Sequence, residues 1–171
     1  MPRSLRIQST ANPKSNSPAT IVFQRFSICH DCAAPFEITD IWSGSHMHLP
    51  GAGDSELLYL PPSGGAIPTD GASYLWGTTS LHRFTCSAST SNGYPGQGFI
   101  AVDTAGNRYF FDVGIERAAG TMRDVSGILH VRIRVYLMAS RVEDRHGNWV
   151  AYQYTGDKLT AITASDGRAI A

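Results

Sequence analysis

The residues with the sharpest chemical potential in this chain are its three cysteines and six histidines. Cys29-His30-Asp31-Cys32 sets two thiols at the knuckle spacing of a zinc site, and His46 and His48 follow after 13 further residues. Residues two apart on an extended strand point the same way, so His46 and His48 could complete a Cys2His2 set. Zinc patterns of that kind usually separate their histidines by three to five residues, and here only Met47 intervenes. The plainer reading of Cys29 and Cys32 is a pair of small semi-buried loop residues, or one strained local disulfide. A redox reading of Cys-x-x-Cys needs a βαβ context that the flanking sequence lacks. Three cysteines cannot all pair internally, which leaves either one bridge and a thiol or three thiols. His46, His48, Asp54 and Glu56 are a second conceivable metal cluster, against the plainer reading of a polar loop around Pro50-Gly51-Ala52-Gly53.

Other chemistries find less support. Gly51-Ala52-Gly53 has no third glycine and no following helix, so it is not a nucleotide loop. No Gly-x-Ser-x-Gly elbow occurs, and a Ser/His/Asp triad has no motif behind it. Trp42, Trp76 and Trp149 could stack on a sugar, but no regular spacing places all three on one face, so packing is the better reading. The sequence therefore points to no catalytic residue, no cofactor and no resident metal.

The elements that would position these residues are short. The 171 residues include 17 Gly and 9 Pro, the punctuation of strands joined by turns. Lys plus Arg is 14 and Asp plus Glu is 14, giving a formal net charge of zero. Phosphate neutralisation needs a surplus of cations, so this balance argues against nucleic acid as a partner. A hydrophobic share of 42% excludes a disordered chain. No apolar run reaches the ~18–20 residues of a membrane span, and no secretory signal follows Met1.

Strand signals recur along the chain. Residues 1–20 read as a loose arm or the torn edge of an element. Strands are expected at 21–27, Phe36–Trp42, Leu57–Leu60, Tyr74–Trp76 and Leu81–Cys86. Phe99–Asp103 and Asn107–Val113 flank Thr104-Ala105-Gly106 as a hairpin whose glycine takes the left-handed conformation. Val131–Leu137 alternates apolar with mostly polar residues, a half-buried strand. Residues 114–127 are the only helix candidate, with glycine at both ends. Asp-x-x-Gly-Asn followed by an aromatic occurs at 103–111 and again at 144–152, with an Asp-Gly-Arg echo 20 residues after Gly147. Recurrence at a period of about 20 residues suggests stacked β architecture, which needs roughly three repeats to bury a face.

Residues 141–168 resemble an RHS repeat, also called a YD repeat, at Asp144, Gly147, Asn148, Tyr152, Tyr154, Leu159, Ile162, Gly167 and Arg168. Residues 96–112 resemble the hairpin that often precedes the first repeat in bacterial members. The segments 82–86, 92–93 and 49–58 resemble the approach to it. The name-giving Tyr-Asp pair falls at Tyr154-Thr155, where its Asp is missing. The resemblance implies a β-strip that spirals into a hollow shell around a C-terminal toxin or effector domain, and the repeats carry no catalysis. In that reading Gly147 permits the tight turn, Asn148 caps it, Tyr152 and Tyr154 supply contact area, and Arg168 pairs with a carboxylate or carbonyl one strand away.

The expected fold is all-β: short antiparallel hairpins and meanders leading into the stacked strip of an RHS shell. The expected divisions are an arm at 1–20, a β-rich pre-repeat region at 21–95, a hairpin and connecting strand at 96–138, and a truncated repeat at 139–171. The expected role is a structural, non-catalytic part of a bacterial polymorphic toxin, secreted or at the cell surface in the full-length protein. Its partners would be the remainder of the shell and the enclosed toxin. The alternatives are a stand-alone β-sandwich module binding carbohydrate or protein, and a zinc-stapled or zinc-dependent domain.

Overall fold

The computed structural model describes residues 20–26, 45–50, 52–60, 72–123, 127 and 129–171. The described residues form one antiparallel sheet of eleven strands: β1 (Thr20–Phe26), β2 (Ser45–Leu49), β3 (Gly53–Tyr59), β4 (Trp76–Gly77), β5 (Arg83–Cys86), β6 (Phe99–Val102), β7 (Arg108–Arg123), β8 (Leu129–Glu143), β9 (Trp149–Thr155), β10 (Lys158–Ala164) and β11 (Ala169–Ile170). The protein is all-β, as its composition predicts. Residues 114–123, within the helix candidate, lie instead in β7. Gly120 there has φ +84° at a register shift between Ala118 and Thr121, a bulge that a helix could not contain. The ladder to β8 supplies the hydrogen bonds that decide the outcome. The strand expected at Phe36–Trp42 lies outside the described residues.

Each strand pairs with the next in sequence, and β1 pairs with both β2 and β8. The pairing of β1 to β8 therefore closes into a ring. The buried residues confirm one interior: Ile21, Met47, Leu49, Leu57, Phe84, Ala101, Phe111, Val135, Leu137 and Ala139 form a single cluster drawn from seven of the eight strands. Among the described residues Phe84, Phe111, Ile21 and Met47 are the largest fully buried side chains. Each stabilises the fold by roughly 1.5–3 kcal/mol. On β8 the alternation is explicit, with Val135, Leu137 and Ala139 buried toward the interior and Arg132, Arg134 and Tyr136 on the other face. Shifts near Phe110–Val113 change the pairing, so Val113, Ile115 and Met138 make a second cluster, covered by Tyr136 and Tyr154.

Past the ring, β9, β10 and β11 continue as a strip. The edge of β8 is shared. Its residues Arg132–Met138 pair with β1, and Arg141–Glu143 pair with β9. At the fork between them the Tyr154 hydroxyl donates to the Ala139 carbonyl at 2.8 Å. No residue from Trp149 to Ala171 is fully buried.

The loop before β6 extends the sheet by side-chain mimicry. The Asn92 amide donates to the Gly114 carbonyl at 2.8 Å and accepts from the Gly114 amide at 3.0 Å. The Ser91 amide donates to the Asp112 carbonyl at 2.8 Å. These bonds continue the edge of β7 beyond the end of β6 and lay Tyr94 against Gly114 and the core.

Candidate functional site

Two polar constellations stand out, and they adjoin. The first is the row of turns at one end of the hairpins β6–β7, β8–β9 and β10–β11. Successive antiparallel hairpins bring these three turns to the same end. The Asp103 amide donates to the Asn107 carbonyl at 3.0 Å, Asp144 to Asn148 at 2.8 Å, and Ala164 to Arg168 at 2.9 Å. The amides of Gly106, Gly147 and Gly167 each close back on the first residue of the turn at 3.0–3.1 Å. All three glycines have φ +85°, where a Cβ is disfavoured.

Local chemistry dictates these turns. Oδ1 of Asp103 accepts from the amides of Ala105 and Asn107, and Oδ2 accepts from the Asn107 side chain at 2.8 Å. Asp144 repeats the pattern with His146 and Asn148. These bonds favour the charged carboxylate. Burial raises the pKa of Asp103, but the Asn107, Ala105 and Tyr109 bonds outweigh it and the net shift is downward. Asp144 is lowered chiefly by the Asn148 amide.

The third turn corrects one expectation. Its aspartate sits one residue before the glycine, not three, so Ala164 takes the capping position and Asp166 holds Arg168. Nε of Arg168 donates to Oδ2 of Asp166 at 2.6 Å. Arg168 therefore pairs inside its own turn and not one strand away. The repeat also differs from a constant unit. Gly106 to Gly147 spans two long strands, and Gly147 to Gly167 spans two short ones. Gly127, near the midpoint of the longer span, shows φ +88° and belongs to the connection at the opposite end.

Between the turns runs an open groove of about 460 Å³, lined by Asn107, Tyr109, Asn148, Trp149, Asp166 and Arg168 among others. Trp149 lies under the Arg141 guanidinium at 5.1 Å. Its amide donates to Ser165 Oγ of the neighbouring turn at 3.2 Å.

The second constellation is a hydroxyl–imidazole cluster that sequence reasoning missed. Ser80 Oγ lies 3.2 Å from Ser55 Oγ, 2.9 Å from Thr78 Oγ1 and 3.1 Å from His82 Nδ1. Leu81, within the turn, has φ +65°, a strained value for a residue with a Cβ. His82 is buried, which lowers its pKa, with the Asp103 carboxylate and a Ser80 hydrogen bond opposing. Its ring meets the edge of Tyr109 at 5.9 Å, and the Tyr109 hydroxyl donates to Asp103 at 3.2 Å. The cluster thus connects to the first repeated turn. Its signal in the sequence is only Thr78-Thr79-Ser80-Leu81-His82, and Ser55 joins it from 25 residues away. What this arrangement does is hold an irregular turn with a neutral imidazole at its centre.

The residues singled out for metal chemistry are distributed as follows. Cys29 and Cys32 lie outside the described residues. His46 and His48 share the outer face of β2, on either side of buried Met47. His48 Nδ1 is 2.7 Å from Asp54 Oδ1, and His46 stands opposite Glu56 in the register. Cross-strand pairing thus sorts the four into two pairs. Among the described residues no group of three or more His, Cys, Asp or Glu side chains gathers to hold a metal. Cys86 is an exposed thiol. Trp76 packs against the core beside Tyr59, on a different part of the sheet from Trp149, and Trp42 lies outside the described residues. Among the described residues no helix is long and apolar enough to cross a membrane. No family model, no curated protein and no solved structure matches this chain.

Proposed function

We propose that the chain is a non-catalytic structural part of an RHS-repeat shell protein, comprising the β-rich region that leads into the first repeat. The shell would enclose or deliver a C-terminal toxin or effector. The partners in this reading are the remaining shell and that enclosed domain, in a secreted or cell-surface bacterial protein. The resemblance over 141–168 supplies the family.

One observation carries the reading: β9–β11 leave the closed ring as a strip in which Tyr152 and Tyr154 pack back on the ring while the apolar side chains at its far end stay open. Register puts Val150, Tyr152 and Tyr154 beside Ala164, Ile162 and Leu159, with Ile170 next to Ile162. Ile170 is 70% exposed and Leu159 is 37% exposed. Such an open end calls for further sheet stacked against it. The turns sharing one geometry offer a template by which additional hairpins would join the row. The test is electron microscopy of the whole product of the genomic locus. A hollow β-walled particle with this chain at one end supports the reading, and a small solid particle with no further repeats refutes it.

A second reading has its own observation. The ring β1–β8 closes within this chain, as a self-sufficient binding module would. Such a module would bind a carbohydrate or protein ligand on an exposed surface. A monodisperse monomer that binds a glycan array specifically would favour it over the shell. The zinc-stapled reading is decided by the metal content of the purified protein, where less than one equivalent of zinc leaves it without support.

A further inference from the structure

We propose that the outer face of the β7–β8 hairpin is a docking surface for a carboxylate-bearing extended segment of a partner protein, read by Arg117, Arg132 and Arg134. Arg117 on β7 and Arg134 on β8 stand directly opposite in the register. Like charges in that position destabilise a sheet. Arg132 is two residues along the same strand and projects from the same face.

The fold provides little to neutralise them. Arg117 has one carboxylate, Asp157 at 3.3 Å, and both side chains are about half exposed. Arg132 donates to the Ala119 carbonyl at 2.9 Å. The Arg134 side chain makes no hydrogen bond or ion pair with any described residue, while its backbone sits in the ladder between Arg117 and Gln24. The Nε atoms of Arg132 and Arg134 are buried with no acceptor. A buried, unpaired donor on a charged group costs free energy that folding alone does not recover. The buried Nε atoms, like that of Arg141, stay out of a partner's reach, but among the described residues three guanidinium groups meet one carboxylate, and an anionic acceptor at their terminal Nη atoms completes the set.

The geometry selects the acceptor. A guanidinium offers a planar fork that a carboxylate fills with two oxygens. Arg132 and Arg134 are two residues apart on one strand, a separation of about 6.6 Å. An extended peptide sets its own alternate side chains at that same repeat, so a Glu-x-Glu segment lying along β8 meets both. Arg117 is stacked on the Tyr136 ring at 5.2 Å, which restrains its plane at the edge of the patch. Nucleic acid fits poorly, because the chain is neutral overall and these cations form a compact patch and not a track along a phosphate backbone.

The test uses the full chain and a fluorescein-labelled peptide of alternating Glu and Thr, read by fluorescence anisotropy at low salt. A Lys/Thr peptide is the control, and inorganic phosphate and pyrophosphate are competitors. The Glu peptide is expected to bind and the Lys peptide is not. Arg134→Met should weaken binding at least tenfold, and Arg134→Lys should retain part of it, since the charge stays and the fork goes. In the absence of peptide, Arg134→Met should melt no lower than the parent, because it removes an unpaired charge. Absence of Glu-peptide binding, or binding unchanged in both variants, overturns the proposal. So does saturation by phosphate with no response to the peptide, which would mark a small-oxyanion site. A lower melting midpoint of Arg134→Met with unchanged peptide affinity assigns the arginine a structural role and also overturns it.

Discussion

Gly114 is where the fold is most sharply committed to one side chain. A Cβ at this position would lie 2.4 Å from Cγ of Tyr94 and 2.6 Å from its Cβ and Cδ1. Gly114 is held in β7, opposite Leu137 of β8, and the Asn92 amide grips its backbone on the other side. The strand cannot move away, so in Gly114→Ala the Tyr94 ring must leave. A buried tyrosine covers 150–250 Å², and Tyr94 is half-buried. Loss of about 100 Å² at about 25 cal/mol per Å² costs roughly 2.5 kcal/mol. If the Asn92 bonds go with the ring, about 1 kcal/mol each is added. For a domain of this size the first figure corresponds to a melting shift of about 5–10 °C. Urea unfolding of the parent, Gly114→Ala, Tyr94→Gly and the double variant measures it. The expected cycle is non-additive, with Gly114→Ala far less costly once Tyr94 is glycine, since alanine there would keep the Cβ that the new methyl meets at 2.6 Å. A single variant within about 0.5 kcal/mol of the parent, or strictly additive effects, would show that Tyr94 does not pack on this glycine.

Three further outcomes follow from the same geometry. Gly147 has φ +85° and open space around it, so Gly147→Ala should cost only backbone strain, about 1–2 kcal/mol, seen as a lowered urea midpoint without loss of strand signal. Burial depresses the pKa of His82, so the unfolded chain takes up its proton first as pH falls; stability should decline below pH 6.5, and His82→Gln should flatten that slope in melts from pH 8 to 5. Tyr154→Phe removes the donor to the Ala139 carbonyl at the fork and should cost about 1–2 kcal/mol, while faster amide exchange confined to β9 and β10 would mark the strip loosening from the ring.

The shared turn geometry at Asp103 and Asp144 was legible in the sequence because every bond that builds it falls within five residues. Asp, Gly and Asn are each there for a stated reason, and the same residues produce the same turn wherever they recur. The third turn shows the limit of that reading. Asp166-Gly167-Arg168 resembles the others, yet moving the aspartate by two residues gives it a different partner. The alternation of Val131–Leu137 likewise forecast a half-buried strand, and Val135 and Leu137 are buried while Val131 is exposed. Neither signal could find the hydroxyl cluster, since Ser55 and Ser80 have no pattern in common. The arginine patch was invisible for the same reason: Arg117 and Arg134 become neighbours only through register.

By itself, then, the sequence determined the all-β class, the turn chemistry and the two-residue periodicity of the strands, all of which rest on backbone preferences and hydrogen bonds between near neighbours. Tertiary structure decided what distance along the chain conceals. Residues 114–123 became strand because β8 offered them a ladder. The ring closed because β1 found an edge of β8 more than a hundred residues away. The burial of Ile21 against Val135 and Leu137 that rewards this closure exists only after the intervening chain has been ordered.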